Sequence, residues 1–111
     1  MPINRKDLDI LYDIYFFCMD AMEYTKGKKA YHFMNDKFQR YAIEHILQCI
    51  GEASNKLSHE TQAILDFIPW SEIIGLRNKI VHDYGDIKME KLWFAAKKSV
   101  PVLVNDLKKN T

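Results

Sequence analysis

Apolar residues recur every three or four positions along nearly the whole chain, which is the period of α-helices. Only four Gly and three Pro occur in 111 residues, too few turn formers for a loop-rich β fold. Apolar residues make up 48% and aromatics 13%, which sets the chain apart from disordered sequences. Its length suits one domain with a core that needs neither disulfides nor metals. No repeat or low-complexity tract interrupts it. The pattern predicts a single all-α domain over residues 1–111, an antiparallel up-and-down bundle of four to five helices.

Individual starts and stops can be read. Asn4 with Asp7 forms an N-cap and first-turn acid for a helix to about Tyr24. Its apolar residues fall in two stripes. One is Leu8, Leu11, Tyr15, Cys18 and Met22, and the other is Ile10, Ile14, Phe17 and Ala21. One stripe can face the core; the second calls for a wide core or a partner subunit. Lys26-Gly27-Lys28-Lys29 breaks the pattern. Asn35 or Asp36 then caps a helix to about Leu57, with Phe38, Tyr41, Ala42, His45, Ile46, Cys49, Ile50, Ala53 and Leu57 on one face. His45 in this stripe reads as a satisfied core residue. Gly51 costs roughly 1 kcal/mol relative to Ala inside a helix, and close approach by a neighbour is a reason to tolerate it. Glu44, Gln48 and Glu52 form a polar ridge, a solvated face from which Glu52 can reach a site.

Further on, Ser58 caps a short turn to about Asp66. Ile68-Pro69-Trp70-Ser71 starts the next helix, with Ser71 or the residues before it as cap and an end near Gly85. Asp86 caps a last helix through Leu107. Pro101 falls within it and predicts a kink or break near Lys97 to Val100.

Composition narrows function. Sixteen basic and fifteen acidic side chains give a net charge of +1, so any nucleic-acid contact must come from local patches. The candidates are Lys26 with Lys28 and Lys29, Lys37 with Arg40, Arg77 with Lys79, and Lys97 with Lys98. Each patch taken alone reads first as ordinary solvated lysine and arginine. Cys18 and Cys49 have no C-x-x-C spacing and read as buried free thiols of a reducing cytosol. His32, His45, His59 and His82 show no ligand spacing, so no metal or other cofactor is expected. No signal peptide is recognisable, and no apolar run approaches the ~20 residues that span a bilayer. A cytoplasmic protein without membrane attachment is expected.

Arg77-Asn-Lys-Ile-Val-His-Asp-Tyr84 stands out chemically. Within eight residues it places a permanent cation, a group that titrates near neutrality and a phenol. Arg stabilises charge developing on phosphorus. His moves a proton at cellular pH. Tyr stacks on a base or presents a hydroxyl. These are the parts needed to cleave a phosphodiester without a metal. On a regular helix, at roughly 100° per residue, Arg77 lies close to Trp70, Ile73 and Val81, within the apolar stripe. An unpaired guanidinium there would be costly. Arg77 therefore either pairs with a core carboxylate or capping carbonyls, or lines a cleft. His82 lies about 140° away, beside Asn78. Either the helix ends before His82 or a second subunit completes the site. A histidine at a helix end also reads simply as a partner of the helix dipole.

The chain resembles HepT-like proteins of the HEPN superfamily over nearly its whole length. The resemblance rests on Ile50-Gly-Glu-Ala53, Leu57-Ser58, Ile68-Pro-Trp70, Arg77-Asn78 with His82-x-Tyr84, and Trp93, in that order. Leu8-x-x-Leu11-x-x-Ile14 and Phe33 with Asp36 also fit. The resemblance implies a small helical bundle that forms a homodimer, with the two R-x-x-x-x-H motifs meeting across a cleft. It implies a metal-independent endoribonuclease, the toxin of a bacterial toxin–antitoxin pair. Its partner would be an MntA-type nucleotidyltransferase antitoxin that silences it by transferring AMP to Tyr84. Arg77 and His82 would be the catalytic residues, with Asn78 and Tyr84 binding the RNA substrate. Two rivals stand beside this reading. One is a non-catalytic nucleotide- or RNA-binding partner of the nucleotidyltransferase. The other is a purely structural bundle in which Arg77 pairs with a carboxylate such as Glu52.

Overall fold

The computed structural model describes residues 3–83 and 87–109, and all of its regular structure is helical. Helix α1 spans Arg5–Thr25, α2 Tyr31–Met34, α3 Lys37–Lys56, α4 His59–Ile64, α5 Trp70–His82 and α6 Met89–Phe94. A π-helical stretch, Ala95–Ser99, joins α6 to α7, Val100–Lys108. The bundle expected from the periodicity is present.

The starts follow local chemistry. Asn4 Oδ1 accepts the Asp7 amide at 2.8 Å and caps α1. Asp36 caps α3 through the amides of Phe38 and Gln39, and Ser58 caps α4 through the amide of Thr61. No side chain caps α5; Pro69 precedes it, and the Trp70 indole N–H is anchored on the Leu65 carbonyl at 3.1 Å. The helix ends at His82, three residues before the expected end, because Asp83 has left the helical backbone (φ −112°, ψ 34°). Lys88 occupies the N-cap of α6, without a side-chain bond. Residues 31–34, between the expected break and the next cap, make a helical turn that buries Phe33. Pro101 lacks an amide hydrogen and crowds the preceding turn. The chain widens to π geometry just before it, at the expected break.

Helix α3 occupies the centre, packed on α1 and α5, while α1 also packs on α7. Neighbours run antiparallel. Asp7 at the start of α1 meets Ser58 and Thr61 beyond the end of α3. Ile73 and Arg77 of α5 lie at Gly51, while Ile87 beyond α5 meets Arg40 early in α3. Lys97 reaches the Thr25 carbonyl at the end of α1, while Leu107 lies beside Leu8 and Leu11 near its start.

The core takes Leu11, Ile14, Cys18 and Ala21 from α1, so the buried line combines the two expected stripes. The unpartnered apolar line is instead Tyr12, Phe16 and Met19. On α3 the buried residues are Ile43, Glu44, Leu47, Ile50, Gly51, Ala53 and Ser54. The expected core face was therefore rotated at its N-terminal end. Phe38, Tyr41 and His45 lie exposed because α5, not the helix centre, dictates which side of α3 is covered. His45 is no core histidine; its Nε2 lies 3.5 Å from Cys49 Sγ. Cys18 is fully buried, whereas Cys49 is only half-buried.

Candidate active site

The site begins with a close helix crossing. Gly51 on α3 lies directly under Arg77 on α5. A Cβ at position 51 would collide with the Arg77 Cβ, come within 2.8 Å of its Cγ and lie 3.2 Å from the Ile73 carbonyl. The approach inferred from Gly51 is thus present, and the neighbour is Arg77 itself. The crossing brings the Arg77 stem down onto α3 and leaves the side chain half-buried between the two helices.

The guanidinium is only partly satisfied. One terminal nitrogen donates to Asn78 Oδ1 at 3.0 Å. The other lies 3.8 Å from Glu52 Oε1, a long ion pair with side chains 27% and 40% exposed. Arg77 Nε is buried and has no hydrogen-bond partner. Glu52 is held in turn by Gln48 Nε2 at 2.8 Å. The polar ridge of α3 therefore does reach the motif, through Glu52. Such a loose pair leaves the cation available to a doubly charged ligand.

The structure brings Arg77 and Asn78 together, but not Arg77 and His82. Helix α5 stays regular through His82, which leaves this side chain exposed on the Asn78 side, about 140° around the axis. Tyr84 lies outside the described residues, as do Gly85 and Asp86, the expected helix end and cap. Ser71, Gly75, Asn78 and His82 line up on the outer face of α5, and nothing lies within 4 Å of a Cβ built on Gly75.

Of the basic patches, several have work within the fold. Lys28 sits 4.1 Å over the Tyr24 ring, Lys97 holds the Thr25 carbonyl, and Arg40 holds the Ile87 carbonyl and Glu44. Lys79 does not accompany Arg77. It joins Lys88 and Lys91 around a cleft of about 430 Å³ beside Asp83. Sequence reasoning missed this trio, because its members become neighbours only in the folded chain. Among the described residues no group of three or more His, Cys, Asp or Glu side chains could hold a metal ion. Among them, too, no helix is long and apolar enough to cross a membrane.

The all-helical fold of the described residues is consistent with a HEPN-like bundle. The chain belongs to the HepT-like family: residues 17–109 match the family described as "Ribonuclease HepT-like". A Methanocaldococcus jannaschii protein named "Putative RNase" is 36% identical over 106 residues, covering 95% of this chain and 97% of that protein. A Thermococcus cleftensis protein named "Probable ribonuclease HepT" is 29% identical over 107 residues, covering 96% and 97%. A "Putative RNase" of Caldanaerobacter subterraneus is 31% identical over 91 residues, covering 82% and 81%. No solved structure matches the chain significantly.

Proposed function

We propose that this chain is a metal-independent endoribonuclease of the cytoplasm, the toxin of a toxin–antitoxin pair, with its cleft formed between two copies. Membership of the HepT-like family and the ribonuclease names of its relatives support RNA as substrate. The observation that carries the mechanism is the placement of Arg77: half-buried, loosely paired to Glu52 and with its guanidinium turned to Asn78, on the side of α5 that also carries His82. Two copies facing each other along the Asn78–His82 side of α5 would gather both motifs into one cleft. Gly75, with open space where a side chain would be, permits such an approach.

In this arrangement Arg77 neutralises the dianionic, phosphorane-like state. His82 takes the proton of the ribose 2′-OH as that oxygen attacks phosphorus. The bond to the 5′-oxygen breaks and that oxygen takes a proton from water, leaving a 2′,3′-cyclic phosphate and a 5′-OH. Asn78 holds the Arg77 fork in place. Lys79, Lys88 and Lys91 supply counter-charge for the flanking backbone. Tyr84 stacks against the substrate. An AMP placed on it by an MntA-type nucleotidyltransferase antitoxin would fill the cleft with bulk and negative charge and so silence cleavage.

The test is intact mass and RNA cleavage, with chelator, on protein made alone and together with such a nucleotidyltransferase. Cleavage lost in His82→Ala, and lost again with AMP mass on Tyr84, is the expected result. Binding of RNA without cleavage by unmodified wild type would favour the second reading, a non-catalytic RNA- or nucleotide-binding partner.

A further inference from the structure

One turn along α5 from Arg77, Ile80 forms part of a second hollow of about 280 Å³, completed by Tyr41, Glu44, His45 and Gln48 of α3. It contains a group that the fold leaves unexplained. Glu44 is only 5% exposed, and its Oε2 meets Arg40 Nε at 3.5 Å. Its Oε1 is buried with no hydrogen-bond partner. An unpaired buried acceptor costs roughly 1–3 kcal/mol and calls for a donor. Gln48 stands one turn on. Its NH₂ group is committed to Glu52, so its carbonyl oxygen remains to accept. Tyr41 offers a ring that is 44% exposed at the rim, and buried Ile80 supplies apolar surface.

We propose that this hollow is a nucleobase subsite with preference for guanine, an inference that rests on the proposed action on RNA. Two neighbouring acceptors match an edge carrying two neighbouring donors. Among the four bases only guanine has one, N1–H beside the 2-amino group. Adenine and uracil alternate donors with acceptors, and cytosine sets a single donor beside two acceptors. The carboxylate repels phosphate, so the hollow takes a base while Arg77, linked to it through Gln48 and Glu52, takes the backbone. Tyr41 stacks on the ring, as aromatic side chains do on splayed single-stranded bases. Glu44 reaches the base by turning its terminal torsion, which is soft.

The test uses the His82→Ala protein, so that RNA survives, and labelled single-stranded pentamers of uridine with one central guanosine, adenosine or inosine. Fluorescence anisotropy should show the guanosine oligomer binding about tenfold tighter than the adenosine one, the scale of a paired base contact. Inosine, lacking the 2-amino group, should fall between them. Glu44→Gln adds a donor to the array and should erase the preference without abolishing binding. Equal affinity for all three pentamers overturns the subsite while leaving RNA binding intact. No binding of any pentamer overturns the proposed function and the subsite together. If Glu44→Gln proves misfolded by circular dichroism, the guanosine–inosine comparison on His82→Ala decides alone.

Discussion

Arg77 rests on Gly51: the guanidinium that defines the motif is positioned by the absence of a side chain on the facing helix. Gly51→Ala should therefore destabilise the fold by about 1–3 kcal/mol, even though Ala favours helix, because α3 and α5 would be forced apart. Gly75→Ala, with nothing within 4 Å of the added Cβ, should instead stabilise the monomer by up to about 1 kcal/mol. Urea denaturation of the two variants checks both signs. Sedimentation of Gly75→Ala adds a readout for the second copy: weakened dimerisation is expected if α5 is the contact helix.

Arg77→Ala should separate activity from stability. Its ion pair with Glu52 is long and partly exposed, so losing that pair should cost under about 1 kcal/mol. Cleavage should fall about 10²- to 10³-fold, the usual effect of removing one charge-stabilising group. Thermal melts beside cleavage rates measure the two. A loss of several kcal/mol with unchanged cleavage would restore the purely structural bundle.

Asp7 predicts acid sensitivity. It is almost fully buried, and its Oδ2 accepts from Ser58 Oγ at 2.6 Å, Thr61 Oγ1 at 2.5 Å and Asn4 Nδ2 at 3.2 Å. Burial alone would raise its pKa, but the bonds from Ser58, Thr61 and Asn4 outweigh burial and hold it below the usual carboxylate value. A lowered folded-state pKa means that the stabilisation is complete above the unfolded value of about 3.9 and is lost as pH falls through the folded one. Asp7→Ala should lose about 2–3 kcal/mol at pH 7, and much less near pH 2, in denaturation curves at the two pH values.

The cysteines should differ in reactivity. Burial pushes the Cys18 thiol up to about 12, so alkylation at pH 8 should reach it only on unfolding. Burial, with the Glu52 carboxylate adding to it, also raises Cys49. Cys49 should label in the native protein, more slowly than a free thiol. Glu52→Gln should speed it up, as timed alkylation and mass measurement can show.

By itself the sequence determined the long helices, the caps at Asn4, Asp36 and Ser58, and the break before Pro101. Each depends on neighbours within about one turn: Asn4 on the Asp7 amide, Asp36 on Phe38, Ser58 on Thr61. Period and caps also placed Arg77 inside the apolar stripe and His82 away from it, since a helix fixes those angles whatever packs on it. Gly51 announced a close neighbour without naming it.

Only the tertiary structure decided which neighbour, and which face of each helix is covered. Periodicity gives a stripe, but the angle at which a stripe is buried depends on where the other helices stand. For that reason Tyr41 and His45 lie exposed while Glu44 is buried, and the unpartnered line of α1 is Tyr12, Phe16 and Met19. The Arg77–Glu52 pair, the lysine trio at 79, 88 and 91, and the hollow at Glu44 join residues far apart in sequence. Such meetings depend on how long-range packing closes the bundle, which no local spacing encodes.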